Sequence, residues 1–312
     1  MSKRYTHIVP VNFDSGYSGP HLLIIAGVHG DEYEPMLAVQ QLIDVFSEDL
    51  KLDKGKVTLV PIVNTPAYED DSRTAPDGKD LARTCPGRKD GSETEQIAWE
   101  ISQLIRSVDY LIDMHTGGKT YEIFPLSGYV LHPEEAIPEK QRAMATAFGL
   151  PVQWGTSPNL DGRTLSVARD AGVPAIYTEY GGGEHKNPEI VAALYEGCLS
   201  VMAALKMISG KDIQVQVPQF IVEDYREESG HLQIMYPSPI DGVFKAQINL
   251  GEIVKEGQQI GLVRHPDSGK GAIISAMEDG LLFLIRRKLA VNKGEATAGI
   301  LPITKPGKMI IT

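Results

Sequence analysis

The sequence predicts an α/β fold with a mixed sheet for residues 1–210 and a smaller all-β domain for residues 211–312. Two observations predict this division. Short apolar runs rich in β-branched residues alternate with helical patterns from residue 20 to residue 208, as in α/β domains. After residue 210 the chain changes to short strands punctuated by glycine, with no clear helical pattern. A chain of 312 residues has room for both domains, since single cores stop growing near roughly 250–300 residues.

Four apolar runs are the predicted strands of the α/β domain, and four amphipathic stretches are its predicted helices. Ligands bind at the carboxyl ends of the strands in such sheets, so polar residues that follow a run matter most. His29, His115 and Glu179 occupy such positions. The predicted strands are 21–27, 57–63, 110–115 and 174–179, and the predicted helices are 34–46, 93–106, 138–148 and 188–208.

The composition excludes several classes of partner. Thirty Lys and Arg against 41 Asp and Glu give a net charge of −11, which argues against nucleic acid and anionic membranes as partners. The long apolar stretch 190–208 is interrupted by polar residues and has helical spacing, so it predicts a packed helix and not a membrane span. Two cysteines form no disulfide framework, and no signal peptide is recognisable. These features predict a cytoplasmic protein.

The C-terminal part contains an internal repeat. An Asp-Gly pair followed by a Gly turn occurs in residues 241–257 and again in residues 279–294. Two similar halves predict a small sandwich that resembles the biotinyl/lipoyl carrier fold. Lys270 lies near the position that is modified in that family. Its context is Ser-Gly-Lys-Gly, without the usual Asp-Lys-Ala or Met-Lys-Met, so modification is not expected.

A His-x-x-Glu pair directly follows the first predicted strand. In Gly27-Val-His-Gly-Asp-Glu32, the spacing lets His29 and Glu32 converge on one ion. Zinc accepts His nitrogen and carboxylate oxygen, and a catalytic zinc site has three protein ligands and one open position. His115, at the end of another apolar strand, is the candidate third ligand. His-x-x-Glu alone is typical of a solvated pair, and the flanking glycines and the second strand-end His make the pattern more specific.

Glu179 ends a further apolar run and precedes three glycines. This position suits a general base beside a metal-activated water. A helix-capping or ion-paired carboxylate is the alternative interpretation. Asp113 lies two residues before His115 and on the same face of the strand, where it is either a hydrogen-bond partner of the imidazole or a structural Asp.

The order of these motifs resembles the succinylglutamate desuccinylase/aspartoacylase family, a deacylase branch of the zinc carboxypeptidase clan. The resemblance covers residues 20–185, and the β-rich tail is similar to C-terminal domains of that family. It implies a zinc-carboxypeptidase-like α/β/α domain that holds one zinc ion per chain. By this resemblance His29, Glu32 and His115 are the zinc ligands and Glu179 is the general acid/base.

The resemblance also implies that arginines hold the substrate's carboxylates, because a guanidinium matches a carboxylate with two hydrogen bonds. Arg73 and Arg83 are the candidates, and Arg73 is also expected to stabilise the oxyanion; the alternative for each is a solvated loop charge. Residues 80–87 read Asp-Leu-Ala-Arg-Thr-Cys-Pro-Gly, similar to the family's Asp-Leu-Asn-Arg-x-Phe-Pro-Gly. Ala82 and Cys85 replace the Asn and the Phe, so the resemblance leaves the substrate open.

Three further residues have open interpretations. Arg163 is either another carboxylate contact or a loop charge, and His185 lies close enough to the glycines after Glu179 to face the same cleft. The thiol of Cys85 has no His paired with it locally, so we expect a structural role for it.

The sequence therefore predicts a zinc-dependent hydrolase that cleaves the amide bond of a small N-acyl amino acid or related amine. Two alternatives stay open at this point: a metallocarboxypeptidase acting on a short peptide, and a non-catalytic metal- or ligand-binding protein. Zinc, cobalt and manganese all fit such a ligand set. The β domain either covers the cleft or forms the interface of a homo-oligomer.

Overall fold

The structure is a computed structural model that describes residues 7–183, 187–209, 217–227, 229–232 and 235–312. The strands are β1 (Val11–Asp14), β2 (His21–Ile25), β3 (Lys56–Val60), β4 (Tyr110–His115), β5 (Tyr121–Val130), β6 (Val152–Thr156), β7 (Ala175–Gly182), β8 (Phe220–Asp224), β9 (Gly242–Ala246), β10 (Ile253–Val254), β11 (Gln259–Arg264), β12 (Gly271–Ser275), β13 (Gly280–Arg286), β14 (Ala290–Val291), β15 (Ala298–Leu301) and β16 (Gly307–Ile311). The helices are α1 (Tyr33–Glu48), α2 (Thr65–Glu69), α3 (Glu93–Arg106), α4 (Ala136–Phe148), α5 (Thr164–Ala171) and α6 (Pro188–Ala204), with a 3₁₀ turn at Leu81–Arg83.

The predicted mixed α/β fold is confirmed. The four predicted strands are β2, β3, β4 and β7, which lie side by side and parallel in the order β3-β2-β4-β7. β1 and β5 pair antiparallel with β3 and β7 and make the sheet mixed. Alternate residues of β2 face opposite sides: Leu22 and Ile24 pack with α1, α4 and α6, whereas Leu23 and Ile25 pack with α3 and α5. The sheet therefore lies between two layers of helices.

The long apolar stretch near residue 200 is α6, and it is packed against this sheet. Asn187 begins the helix by accepting a hydrogen bond from the backbone of Glu189, and Leu194, Val201 and Met202 are buried in the core. Among the described residues, the helices are too short or too polar to qualify as membrane spans.

Strands from the C-terminal part continue the same sheet. β8 pairs parallel with β6, and β16 pairs parallel with β8. β13 pairs antiparallel with the first residues of β5, where Arg286 lies opposite Tyr121. The division at residue 210 stays a prediction, but strands from both sides of it share one sheet.

The repeat stays a prediction, and the two segments that it covers have corresponding strand pairings. β9 and β13 begin the two halves, and each pairs with a later strand of its own half, β9 with β11 and β13 with β15. Each half lends its short strand to the other, because β10 pairs with β13 and β14 pairs with β9. Asp241 accepts a hydrogen bond from the backbone of Lys293, and Asp279 accepts the equivalent one from Glu256. Lys270 is exposed in the connection between β11 and β12.

Candidate active site

Two side chains from the turn after β2 meet a third from the end of β4 in the interior of the protein. His29, Glu32 and His115 are buried, and one ligand atom from each lies within 4.8 Å of the others. Nδ1 of His29 lies 2.7 Å from Oε1 of Glu32, and Nδ1 of His115 lies 2.9 Å from Oε2. The structure therefore brings together the three residues predicted as metal ligands.

The turn that carries His29 is pressed against α2. A β-carbon at Gly30 would lie 2.0 Å from the carbonyl carbon of Ala67, so only glycine fits there. The backbone N–H of Gly30 donates to the carbonyl of Ser72 at 3.0 Å. Asn64 in turn begins α2 by accepting a hydrogen bond from Ala67 at 3.3 Å. These contacts fix the turn between β2 and α1.

The outer nitrogen of each imidazole faces a carboxylate. Nε2 of His29 lies 3.2 Å from Oδ1 of Asp80, and Nε2 of His115 lies 3.1 Å from Oδ1 of Asp113. Thr164 donates its hydroxyl to the other oxygen of Asp113. Such carboxylates orient metal-binding histidines and raise their basicity. The sequence analysis did not single out Asp80, although it opens the Asp-Leu-Ala-Arg motif.

The charges inside the cluster hold the acid ionised. Burial alone raises the pKa of Glu32, but the neighbouring His29 and His115 outweigh burial and leave that pKa below its usual value. Burial alone lowers the pKa of His115, but Asp113 and Glu32 outweigh it and raise that pKa. An ionised carboxylate is the form that binds a metal ion.

Glu179 lies beside this cluster, since its residue on β7 pairs with His115 on β4. Its Oε2 is buried and has no hydrogen-bond partner among the described residues. Burial raises the pKa of Glu179 to about 8. A carboxylate with a raised pKa exchanges protons near neutral pH, which suits a general acid/base.

The arginines differ in how their charges are compensated. Nη2 of Arg73 lies 3.0 Å from Oδ2 of Asp80, and its Nη1 lies 3.8 Å from Oε1 of Glu32. Arg83 is exposed and donates to the carbonyl of Ala82 at 2.6 Å. Neither Arg83 nor Arg163 has an ion pair within the described part of the chain. Burial, reinforced by the nearby Arg83 cation, lowers the pKa of Arg163 to about 10.

Both histidines and the groups around them, apart from Glu32 and Asp80, line one cavity of about 100 Å³. The three arginines, His115 and Glu179 face it together with apolar side chains of the sheet. Gly230, Leu232 and Leu284 of the C-terminal part complete the wall. The site is therefore built from both predicted domains and has room for a small molecule.

Comparison with known proteins identifies the family. Residues 18–205 match the succinylglutamate desuccinylase/aspartoacylase catalytic domain. The chain belongs to this family. One relative, the N-alpha-acetyl-L-2,4-diaminobutyric acid deacetylase of Halomonas elongata, is 32% identical over 308 residues, which cover 96% of this chain and 86% of the relative. The family and this relative support a deacylase activity.

Solved structures of the family superpose over nearly the whole chain. The ectoine utilization protein EutE (DoeB) of Ruegeria pomeroyi, in a product-bound structure, has a TM-score of 0.82 and 26% identity, covering 93% of this chain and 87% of the other. A succinylglutamate desuccinylase of Silicibacter sp. TM1040 has a TM-score of 0.80 and 28% identity, covering 94% and 88%. The likeness includes the C-terminal strands as well as the catalytic domain.

Of the two departures from the family's motif, one lines the cavity and the other does not. Ala82 lines the cavity, so the missing amide removes a hydrogen-bonding group from the site itself. Cys85 is buried behind it, and burial raises the pKa of its thiol to about 12, which agrees with a structural role. His185 lies outside the described residues.

Proposed function

We propose that the protein is a zinc-dependent deacylase that hydrolyses the amide bond of a small N-acyl amino acid. The observation that carries this proposal is the convergence, around one cavity, of a buried His29/Glu32/His115 donor set, the unpartnered carboxylate oxygen of Glu179 and two arginines without ion pairs. A binding protein has no need of a proton acceptor beside a metal site, so Glu179 argues for catalysis.

The donor set fits one zinc ion per chain. Two imidazole nitrogens and a carboxylate, each buried and with the outer imidazole nitrogens facing Asp80 and Asp113, are the ligands and supports that zinc enzymes use. Bound zinc supplies a Lewis acid that polarises a carbonyl and lowers the pKa of water to about 7. Cobalt and manganese are the competing metals.

The surrounding side chains transfer the proton, stabilise the developing charge and bind the substrate. Glu179 takes a proton from the attacking water at its free Oε2 and delivers it to the leaving amine. Arg73, held by Asp80 beside Glu32, stabilises the negative charge that develops on the acyl oxygen. Arg83 and Arg163 bind the substrate's carboxylate, since two adjacent guanidinium groups without ion pairs favour an anion. The name of the Halomonas relative suggests N-acetyl-2,4-diaminobutyrate as the first substrate to test.

The small size of the cavity favours a deacylase over a metallocarboxypeptidase. Its volume is about 100 Å³, and Leu232 and Leu284 of the C-terminal part form part of its wall. The role that we propose for the C-terminal part is therefore to limit the cavity to small substrates. The zinc-carboxypeptidase-like ancestry, the biotinyl/lipoyl-like sandwich, the cytoplasmic location and the homo-oligomer stay predictions.

The first test is metal content measured together with activity. Elemental analysis of the purified protein should find about one zinc per chain, and His115→Ala should lose it. A panel of N-acetyl and N-succinyl amino acids and short peptides should be screened with the zinc-loaded protein. Turnover of N-acyl amino acids without peptide cleavage supports the proposal. Retention of zinc by His115→Ala contradicts the ligand set, and cleavage of peptides alone favours the carboxypeptidase.

A further inference from the structure

Tyr121 begins β5, and its half-buried side chain forms part of the cavity wall together with Arg73 and Glu179. Its backbone is fixed by both strands that carry reactive groups. The N–H of Tyr121 donates to the carbonyl of Gly117, two residues after His115, at 2.9 Å. A β-carbon at Gly182, at the end of β7, would lie 2.4 Å from the carbonyl oxygen of Tyr121. The backbone position of Tyr121 is therefore fixed by the segment that follows β4 and by the end of β7.

The ring is oriented by a buried arginine of the C-terminal part. Arg286 lies opposite Tyr121 in the β5–β13 ladder, and its guanidinium carbon lies 5.9 Å from the ring centroid. The Arg286 side chain is only 3% exposed. Its Nη2 donates to the carbonyl of Ala290 at 2.6 Å and to Oε2 of Glu295 at 2.8 Å. A guanidinium held this firmly limits the positions that the phenol ring can adopt.

The hydroxyl of Tyr121 is available as a donor inside the cavity. Burial raises the pKa of Tyr121, while the cations Arg286 and Arg73 oppose the rise, so the phenol keeps its proton at neutral pH. Arg286 forms a hydrogen bond with the phenol and has only donors to offer, so the hydroxyl accepts in that bond and keeps its own proton to donate. No residue in the described parts of the chain accepts a hydrogen bond from this hydroxyl, so we expect the acceptor to be supplied by the ligand.

The backbone contacts of Tyr121 show which part of the ligand it meets. Tyr121 is hydrogen-bonded to Gly117, which follows His115, and packs on Gly182, which follows Glu179. It therefore enters the cavity wall beside the metal ligands and the general base. The proposed function places the reacting acyl carbonyl on that side, where Arg73 lies 3.8 Å from Glu32.

We propose that Tyr121 is a catalytic residue that donates a hydrogen bond to the acyl carbonyl oxygen, and that Arg286 is its positioning residue. This inference rests on the proposed deacylase function. The phenol O–H bond stays intact throughout: its hydrogen bond strengthens as the carbonyl oxygen gains charge and weakens again when the C–N bond breaks. A donor of this kind acts on the transition state more than on the bound substrate.

The test is Tyr121→Phe, which keeps the ring and removes only the hydroxyl. We expect kcat on the best N-acyl amino acid to fall roughly 10-fold to 100-fold, with KM changed less than about 2-fold. A phosphonate analogue of the substrate, which imitates the tetrahedral oxyanion, should lose affinity by a similar factor. Zinc content and Tm should match the wild type. Tyr195→Phe, on α6 away from the cavity, is the matched control.

Arg286→Lys tests the positioning role. It keeps a cation but loses the fixed fork of donors, so it should lower kcat in the wild type and add little in the Tyr121→Phe background. Full kcat and full phosphonate affinity in Tyr121→Phe would overturn the inference while leaving the deacylase intact. A rise in KM with unchanged kcat would also overturn it. Failure of the zinc-loaded wild type to hydrolyse any N-acyl amino acid would instead overturn the proposed function, and this inference with it.

Discussion

The charged groups at the two ends of the cavity differ in whether the protein supplies a partner for them. At the metal-ligand end, Asp80 and Asp113 face the outer nitrogens of His29 and His115, and Glu32 lies between the two rings. At the other end, the Arg83 and Arg163 guanidinium groups have no carboxylate partner in the described structure. The protein supplies the partners of the charged groups at the metal-ligand end, whereas the two guanidinium groups at the other end are available to a ligand.

The metal ligands are therefore held in place by other side chains of the protein, whereas the two arginines can be held by a bound anion. Partners supplied by the fold fix the geometry of the ligands before a metal ion arrives, which lowers the entropy cost of binding it. A half-buried cation without an ion pair, such as Arg163, costs stability, and binding of an anion offsets that cost. Substitutions at the two ends should therefore change different measured quantities.

The largest expected effect comes from Glu179→Gln, next to the metal-ligand end. The amide keeps the shape but can neither accept nor deliver the proton, so we expect kcat to fall roughly 100-fold to 10,000-fold. Zinc content should be unchanged, because Glu179 is not in the donor set. Elemental analysis and steady-state kinetics check both expectations. Full activity with zinc retained would remove Glu179 from the mechanism.

Asp80→Asn removes a carboxylate that supports the metal-ligand end of the cavity. Oδ1 of Asp80 faces His29, and Oδ2 bonds Arg73, so one substitution loosens both groups. We expect zinc affinity or activity to fall roughly 10-fold to 100-fold, as for other partners of metal-binding histidines. Competition with a zinc chelator measures the affinity, and Asp90→Asn, which is exposed, is the control. Unchanged zinc affinity and activity would show that Asp80 plays no supporting part.

Arg163→Met removes one of the two guanidinium groups that have no carboxylate partner in the described structure. Loss of one charge-assisted hydrogen bond should raise KM roughly 10-fold for substrates with a free carboxylate. The amide form of the same substrate should be almost unaffected, and zinc content should not change. Kinetics on the acid and the amide side by side give the answer, with Arg88→Met at an exposed site as the control. An equal effect on both substrates would exclude a carboxylate contact.

The smallest effect on activity is expected at Glu223, a buried carboxylate outside the cavity whose partners are all supplied. Tyr129 donates to it at 3.0 Å and Arg142 at 2.6 Å, and Lys308 lies 3.2 Å away. Glu223→Gln should lower the free energy of unfolding by about 1–3 kcal/mol at neutral pH and leave kcat unchanged. Glu135→Gln, at the exposed partner of Arg142, should cost much less.

The pH dependence of that loss has a definite sign. Burial alone raises the pKa of Glu223, but its hydrogen bonds from Arg142, Tyr129 and Lys308 outweigh burial and leave the pKa below its ordinary value of 4.5. Its stabilising effect is therefore present above about pH 4.5 and disappears as the pH falls through the lowered pKa. Unfolding curves of wild type and Glu223→Gln should converge in acid. A constant difference across this range would contradict the assigned role.

Much of the site was predictable because its residues follow continuous apolar runs. β4 ends at His115 as predicted, and α3 begins and ends at the predicted residues, Glu93 and Arg106. Strand ends and helix periods are local properties of the sequence. The parallel neighbours β2, β4 and β7 then bring His29, His115 and Glu179 to one edge.

Other parts depend on contacts that no local pattern shows. β5 was missed because Pro125, Ser127 and Gly128 interrupt its apolar pattern, and its register with β7 shifts near that proline. Tyr121 at its start was therefore missed as well. Asp80 lies in a loop 51 residues from its partner His29, and only the folded chain brings them together. Arg73 and Arg83 have similar sequence contexts, but among the described contacts only the Arg73 guanidinium bonds the Asp80 carboxylate.

β5 pairs with one strand that is near it in the sequence and with another that is far from it, and this affects folding during synthesis of the chain. Its second half pairs with β6, while its first three residues pair with β13, more than 150 positions downstream. A nascent chain whose β13 is still inside the ribosome carries an open strand edge at Tyr121–Ile123 and an uncovered apolar surface around Trp154. Because Leu284 of β13 lines the cavity, the cavity wall is complete only after β13 has paired, and we expect a shortened chain to aggregate before it could act as an enzyme.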